Sequence, residues 1–179
     1  VSFRLADADS WQPPADVDVI VSNATLQWVP DHERLLARWA AALPVGGWLA
    51  FQVPGNFSAA SHTLMRELAE SARWQGSLEG VLRHEDAVAE PERYASVLAD
   101  ADLVPDVWET TYLHLLAGDD PVLEWVRGTG LRPVLQALDA GAAEEFTSEY
   151  AALLRQAYPP TPHGTAFAFR RIFAVGHRP

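Results

Sequence analysis

Two adjacent arginines near the end of the chain, Arg170 and Arg171, are the first residues that suggest binding chemistry. All 13 positions held by lysine or arginine are arginine, whose planar guanidinium group matches the two oxygens of a carboxylate. Neighbouring side chains on a strand face opposite sides, so we expect one of the pair to point into a site. The alternative is that both are solvated charges near a sheet edge. Arg132, in a Gly-Leu-Arg-Pro turn, is the next candidate, and Arg127 is weaker because it also fits a solvated helix position.

A second group of candidates carries hydroxyl, imidazole or amide groups. Tyr112 and His114 lie two apart on a predicted strand and share a face, where they either hydrogen-bond a carboxylate or are half-buried residues with satisfied polar tips. Gln52 and Asn56 bracket the carboxyl end of another predicted strand, where ligands collect. Asn56 fits a structural turn equally well. Tyr158 precedes two prolines, which hold it rigid. It either contacts a ligand or packs in the core or a lid.

Composition and charge exclude several classes of function. The 179 residues are 49% hydrophobic and 21% charged, as expected for one globular domain. A net charge of -11 makes nucleic acid or an anionic membrane surface a poor partner. There is no cysteine, and the histidines lack the spacing of metal ligands, so we expect no metal site. No signal peptide or transmembrane helix is recognisable, which favours a cytoplasmic protein.

The elements that must position these residues begin with a βαβ unit. Residues 18–23 are an apolar, β-branched run that predicts a strand buried on both faces. A helix follows with Asp31 as its N-cap and ends at the turn of residues 44–47. Residues 48–53 then predict a second buried strand, parallel to the first because such crossovers are nearly always right-handed. Upstream, residues 1–5 predict another short strand.

The rest of the chain alternates helices with two further strands. Four helices are predicted, over residues 58–73, 91–101, 120–126 and 144–158. Residues 104–116 predict a long strand and residues 167–175 the last one. The helical insert between them, about residues 119–158, lies where a substrate cover would sit. We therefore predict a single α/β domain over residues 1–179, with a mostly parallel sheet, an antiparallel last strand and this helical cover.

One element of a doubly wound nucleotide-binding domain is missing from the sequence. Such a domain places a glycine-rich loop after its first strand, and no G-x-G-x-x-G occurs in this chain. Gly46 and Gly47 lie after the carboxyl end of a helix, whereas a loop that binds a phosphate or ribose precedes the amino end. If the chain is such a domain, its first strands are absent from it.

Two segments resemble class I S-adenosylmethionine-dependent methyltransferases, which have a Rossmann-like sheet. Residues 18–30 resemble the fourth-strand motif, and Ala6-Asp7 resembles the end of the third strand, with Ala6 where family members have glycine. The resemblance implies that the carboxylate of Asp7 meets the adenine amino group and that Ala8 adds a backbone amide. Asn23 and Ala24 would pass under the methionine and ribose, and Trp28 is either a cofactor contact or a core residue.

Five further segments narrow the resemblance to the trans-aconitate methyltransferases, with consistent spacing over essentially the whole chain. They cover residues 52–62, 107–114, 125–133, 157–160 and 169–173. This resemblance implies that S-adenosylmethionine donates a methyl group to a carboxylate of a small tricarboxylate, giving a monomethyl ester and S-adenosylhomocysteine. The substrate carboxylates would bind Arg170, Arg171, Arg132, Tyr112, His114, Gln52, Asn56 and Tyr158.

No catalytic base is expected, since a carboxylate with a pKa of about 4 is already ionised near neutral pH. Two alternatives remain at this point. One is a methyltransferase for another free carboxylate, such as a malonyl thioester on a carrier protein, although an acidic carrier needs a basic docking patch. The other is a non-catalytic binding fragment, because the glycine loop is missing. The sequence leaves the oligomeric state open.

Overall fold

A computed structural model describes residues 1–83 and 85–179 of the chain. These residues form two compact units. The first contains Val1–Gly55, Ala87–Thr110 and Arg170–Pro179, and the second contains Asn56–Asp86 and Thr111–Phe169. The helical stretch predicted as a substrate cover lies in the second unit.

The strands form one five-stranded sheet with the order β1-β2-β5-β3, and β4 pairs with β5. Their bounds are Val19–Asn23 for β1, Trp48–Pro54 for β2, Val104–Leu116 for β3, Pro160–Thr161 for β4 and Gly164–His177 for β5. Strands β1 and β2 are parallel, with Val19 opposite Trp48, and β2 and β5 are antiparallel, with Trp48 opposite His177. The βαβ unit and the antiparallel last strand are therefore confirmed.

The helices largely follow the predicted positions. They are α1 (His32–Ala42), α2 (Ala60–Ala69), α3 (Gln75–Leu78), α4 (Pro91–Asp100), α5 (Pro121–Arg127), α6 (Arg132–Ala137) and α7 (Ala140–Ala157), with 3₁₀ turns at Leu26–Trp28 and Glu85–Ala87. Asp31 occupies the N-cap position of α1 but forms no side-chain capping bond, since its φ of 54° is left-handed. Helix α7 begins earlier than predicted because the carboxylate of Asp139 accepts a hydrogen bond from the Ala142 amide at 2.9 Å.

Three expectations about local structure are wrong. Residues 1–5 are exposed and form no strand, because nothing in the described residues pairs with them. Strand β1 is buried on one face only, since Val19 and Val21 are 55% and 73% exposed while Ile20 and Ser22 are buried. Arg132 begins helix α6 instead of lying in a turn, because a proline in the first turn is compatible with a helix.

In the first unit, α1 packs against α4, and the ring of Tyr94 in α4 lies 5.1 Å from that of Phe51 in β2. The buried apolar side chains of the two helices include Leu36, Trp39, Tyr94 and Leu98, and Leu49 and Phe51 of β2 complete this core. In the second unit, the core is built from α2, α5, α6 and α7, where Met65, Val126, Val134, Phe146 and Tyr150 are almost fully buried. No helix in residues 1–83 or 85–179 is long and apolar enough to cross a membrane.

Candidate functional site

The turn that follows β1 exposes backbone in a strained conformation. Ala24 has a φ of 50°, which an alanine rarely adopts and which is typical of functional turns. The conformation is fixed because the Ala24 amide donates to the Gln52 carbonyl at 2.9 Å, and the Gln27 side chain donates to the Ala24 carbonyl at 2.8 Å. Asn23 and Trp28, on either side of this turn, are exposed. The predicted cofactor residues of this segment thus present a rigid and accessible surface.

Asp7 forms a local turn and leaves its carboxylate exposed. Its Oδ1 accepts a hydrogen bond from the Asp9 amide at 2.8 Å, and its carbonyl accepts one from the Trp11 amide at 2.9 Å. These contacts fix the carboxylate without burying it, while the neighbouring Ala8 is half-buried. The local contacts are those of a turn aspartate, and they are compatible with an additional contact to a ligand.

Gln52 and Arg171 meet where β2 and β5 pair in the first unit. Nη1 of Arg171 donates to Oε1 of Gln52 at 3.0 Å, which fixes the orientation of the amide. Gln52 is only 5% exposed, and among the described residues its Nε2 has no hydrogen-bond partner. This buried donor lies beside the guanidinium of Arg171 and is available to an acceptor. The pair therefore presents donors suited to an anion.

Arg170 has different partners from its neighbour, as the alternation of side chains on a strand requires. Its Nε donates to Glu109 at 2.9 Å, and its Nη1 donates to Glu90 at 3.3 Å. The hydrogen bonds from Arg170 lower the pKa of Glu90, and those to Glu90 and Glu109 raise the pKa of Arg170. Strand β5 lies between β2 and β3, so the arginines are not at a sheet edge. Two carboxylates of the chain thus offset the charge of Arg170.

In the second unit, Tyr158 is tied to the first turn of α2. Its hydroxyl accepts a hydrogen bond from the Ser61 amide at 3.0 Å, and the hydroxyl of Tyr150 donates to the Ser61 carbonyl. Burial raises the pKa of Tyr150, so that phenol stays protonated. Oγ of Ser61 lies 3.2 Å from Nδ1 of His62, whose pKa is lowered to about 4 by burial and by Arg66. Ser61, His62 and Tyr150 were not among the predicted site residues.

The other predicted residues of the second unit have mainly structural contacts. The ring of His114 packs against Trp125 at 4.7 Å and, at 6.3 Å, stacks with that of Tyr112, which is 42% exposed. Asn56 is 3% exposed, and its carbonyl accepts the Ala59 amide at 2.9 Å, as in a structural turn. Arg132 is exposed.

The described residues supply anion-binding groups and no obvious metal site. Over residues 1–83 and 85–179, no group of three or more histidine or acidic side chains is placed to hold a metal ion. Arg127, the weakest arginine candidate, is paired with Glu124 at 3.1 Å. The groups available in these candidate residues are guanidinium, amide, hydroxyl and imidazole groups, all of which can donate hydrogen bonds to an anion.

Comparisons with known proteins agree on one family. The sequence profile described as "Methyltransferase domain" matches residues 1–91. Trans-aconitate 2-methyltransferases from Streptomyces coelicolor, Rhodococcus jostii and Mycolicibacterium gilvum are 60%, 54% and 51% identical to the chain, over 100%, 94% and 98% of its length. The chain spans only 60%, 67% and 69% of these relatives, and 66% of the one from Streptomyces avermitilis.

Two solved structures share the fold of this chain. The YcgJ protein from Bacillus subtilis superposes with a TM-score of 0.56 at 12% identity, over 99% of this chain and 71% of that one. A protein from Bacillus halodurans superposes with a TM-score of 0.53 at 12% identity, over 97% of this chain and 70% of that one. At such identities the likeness concerns the fold, which is the Rossmann-like fold of class I methyltransferases.

Proposed function

Because the chain belongs to the trans-aconitate 2-methyltransferase family, we propose that it is part of an enzyme that esterifies trans-aconitate. In this reaction a carboxylate oxygen of the substrate forms a bond to the methyl carbon as the bond from that carbon to sulfur breaks. The products are a monomethyl ester and S-adenosylhomocysteine, and no proton is transferred. The observation that carries the proposal is 60% identity to the Streptomyces coelicolor enzyme over the entire chain.

S-adenosylmethionine, when bound, supplies a methyl group made electrophilic by a sulfonium. The residues proposed to hold it are Asp7, Ala8, Asn23, Ala24 and Trp28, all in the first unit. They fit this role, since the carboxylate of Asp7 is fixed and exposed and the strained turn at Ala24 leaves its backbone accessible. The carboxylate accepts hydrogen bonds from an amino group, as adenine recognition requires.

Arg171 and Gln52 are proposed to hold a substrate carboxylate. The guanidinium group supplies charge and a planar fork, and the amide of Gln52 supplies a buried donor whose orientation Arg171 sets. Arg170 binds Glu90 and Glu109. Its guanidinium is the weaker candidate for binding the substrate because these two carboxylates already surround it. In the second unit, Arg132, Tyr112, His114, Asn56 and Tyr158 are proposed to contact the substrate, and the helical stretch 119–158 to cover it.

The rate enhancement is proposed to come from positioning. A substrate carboxylate with a pKa of about 4 is ionised at neutral pH, so no side chain has to remove a proton. The fixed donors around Gln52 and Arg171 orient one carboxylate and replace its water, which leaves another carboxylate oxygen to attack. A cytoplasmic location also stays a prediction, resting on the composition.

The proposal is tested with the protein expressed from its complete open reading frame. Methyl-labelled S-adenosylmethionine is incubated with trans-aconitate and, separately, with a malonyl carrier protein. Label in a small-molecule ester supports the proposal, and label on the carrier protein supports the alternative substrate. Absence of both transfer and cofactor binding would mean a non-catalytic protein.

A further inference from the structure

The first turn of α2 contains a contact between Ser61 and His62 that the proposed function does not use. Ser61 is fully buried, and both of its backbone polar atoms are bound by tyrosines. Its amide donates to the hydroxyl of Tyr158 at 3.0 Å, and its carbonyl accepts from the hydroxyl of Tyr150. Its Oγ lies 3.2 Å from Nδ1 of His62. The two tyrosines therefore fix the residue that contacts the imidazole ring.

The direction of the hydrogen bond between Ser61 and His62 follows from burial. Because burial and the nearby Arg66 lower the pKa of His62 to about 4, the ring is neutral at pH 7 and carries one N–H. If that proton were on Nδ1, the buried hydroxyl proton of Ser61 would have no acceptor within the described part of the chain. A buried donor without an acceptor is the costly arrangement. Ser61 is fully buried whereas His62 is half-buried, so an unpaired donor costs less on the ring than on Ser61. Ser61 therefore donates to Nδ1, and the ring proton is on Nε2.

The environment of Nε2 is defined by a glycine. A methyl group added at Gly130 would lie 3.3 Å from Nε2 and 3.8 Å from Cδ2 of His62, so the missing side chain leaves space beside this edge of the ring. Within residues 1–83 and 85–179, no acceptor is found for the proton on Nε2. Gly130 lies between α5 and α6, and the exposed Arg132 begins α6 two residues later. The Nε2 donor therefore lies beside the segment that leads into a candidate anion-binding arginine.

We propose that His62 binds a carboxylate oxygen of the substrate as a neutral hydrogen-bond donor, through the proton on Nε2. Ser61 is then a positioning residue that sets the tautomer, and Gly130 keeps the edge of the ring accessible. This assignment rests on the proposed function and adds a residue that determines substrate affinity. The two tyrosine hydroxyls hold the backbone of Ser61, which places its side chain beside the ring.

Two substitutions of His62 separate this role from a structural one. In the protein expressed from its complete reading frame, His62→Gln places an amide N–H near the position of Nε2, whereas His62→Asn replaces only the Nδ1 side. We expect His62→Asn to raise KM for trans-aconitate roughly 10- to 100-fold, the effect of one hydrogen bond to a charged group. His62→Gln, which keeps a donor near that position, should raise this KM by a clearly smaller factor, and KM for S-adenosylmethionine should not change in either variant.

The opposite ranking would overturn the assignment, because a histidine that acts only through Ser61 is better replaced by asparagine. Nitrogen NMR of the wild-type protein gives a readout independent of activity: a proton on Nε2 is expected, and a proton on Nδ1 would refute the tautomer argument. Wild-type protein that does not methylate trans-aconitate would overturn the proposed function together with this assignment. Wild-type turnover with an unchanged KM in His62→Asn would overturn this assignment alone.

A glycine pair in the same segment supplies a matched control. Gly130→Ala places a methyl group against Nε2, so KM for trans-aconitate should rise, whereas at Gly128 an added methyl group meets nothing within 4 Å. Gly128→Ala should leave KM unchanged, and thermal unfolding of both variants verifies that they fold. An equal KM in the two variants would contradict the role given to the edge of the His62 ring.

Discussion

Exchanging each of the two adjacent arginines of β5 for lysine tests which of them binds the substrate. Arg171→Lys keeps the positive charge but loses the fork that donates to Gln52 and, as proposed, to a carboxylate. Arg170→Lys alters a guanidinium that is 24% exposed and bonded to Glu90 and Glu109. Only Arg171→Lys should therefore change KM for trans-aconitate.

The magnitudes follow from the bonds that are lost. One hydrogen bond to a charged carboxylate contributes about 1.5 to 3 kcal/mol, so Arg171→Lys should raise KM for trans-aconitate roughly 10- to 100-fold. Arg170→Lys loses bonds between protein groups that are partly exposed, which costs about 1 to 2 kcal/mol of stability. For a chain of this size that lowers Tm by roughly 2 to 8 °C.

Steady-state kinetics with both substrates and thermal unfolding, measured on the same preparations, separate the two effects. The expected pattern is a raised KM together with a lowered Tm for Arg171→Lys, because the buried Gln52 loses its partner, and a lowered Tm with a nearly unchanged KM for Arg170→Lys. If Arg170→Lys raised KM and Arg171→Lys left it unchanged, the assignment of the binding arginine would be refuted.

Two further predictions concern stability. Gly176→Ala should lower the free energy of unfolding in urea by about 1 to 3 kcal/mol, because its methyl group would lie 2.7 Å from Cδ1 of Leu103. In α3, the methyl group added by Gly76→Ala would meet no atom within 4 Å, so this variant should not destabilise the protein. Equal losses of unfolding free energy in the two variants would contradict the packing at Gly176. The pKa of His62 falls from 6.5 to about 4 on folding, so the unfolded chain binds the extra proton. The free energy of unfolding should therefore decrease by roughly 3 kcal/mol as the pH falls from 6.5 to about 4. The variant His62→Gln should lack this part of the pH dependence. Parallel plots of unfolding free energy against pH for the wild type and His62→Gln would argue against a buried neutral histidine.

Much of the fold could be predicted because its signals are local. The β-branched run of β1, the turn before β2 and the proline that begins α4 each act over a few residues, and all three elements lie where predicted. Burial is different, because it depends on what covers an element. Val19 and Val21 of β1 are exposed since nothing in the described residues lies on them, and no pattern within the strand contains that information.

The candidate site could be predicted only in part for the same reason. Strand alternation indicated that Arg170 and Arg171 have different surroundings, but the sequence could not identify Glu90 as a partner 80 residues away. Ser61 and His62 end one of the segments that carry the family resemblance, and the sequence indicates no role for them. Their role depends on Tyr150, 89 residues from Ser61, and on the space beside Gly130. Such contacts form only once the helices pack, so spacing along the chain does not reveal them.

In the proposed reaction, a carboxylate that is already ionised is methylated by positioning alone. The most direct test is kcat for methyl transfer to trans-aconitate, measured with both substrates saturating from about pH 6.5 to about pH 9 with the protein expressed from its complete reading frame. Formation of the monomethyl ester is expected, with a kcat that is nearly independent of pH over this range. No ester, or a kcat that rises about tenfold per pH unit as for a reaction that needs a deprotonated base, would contradict it.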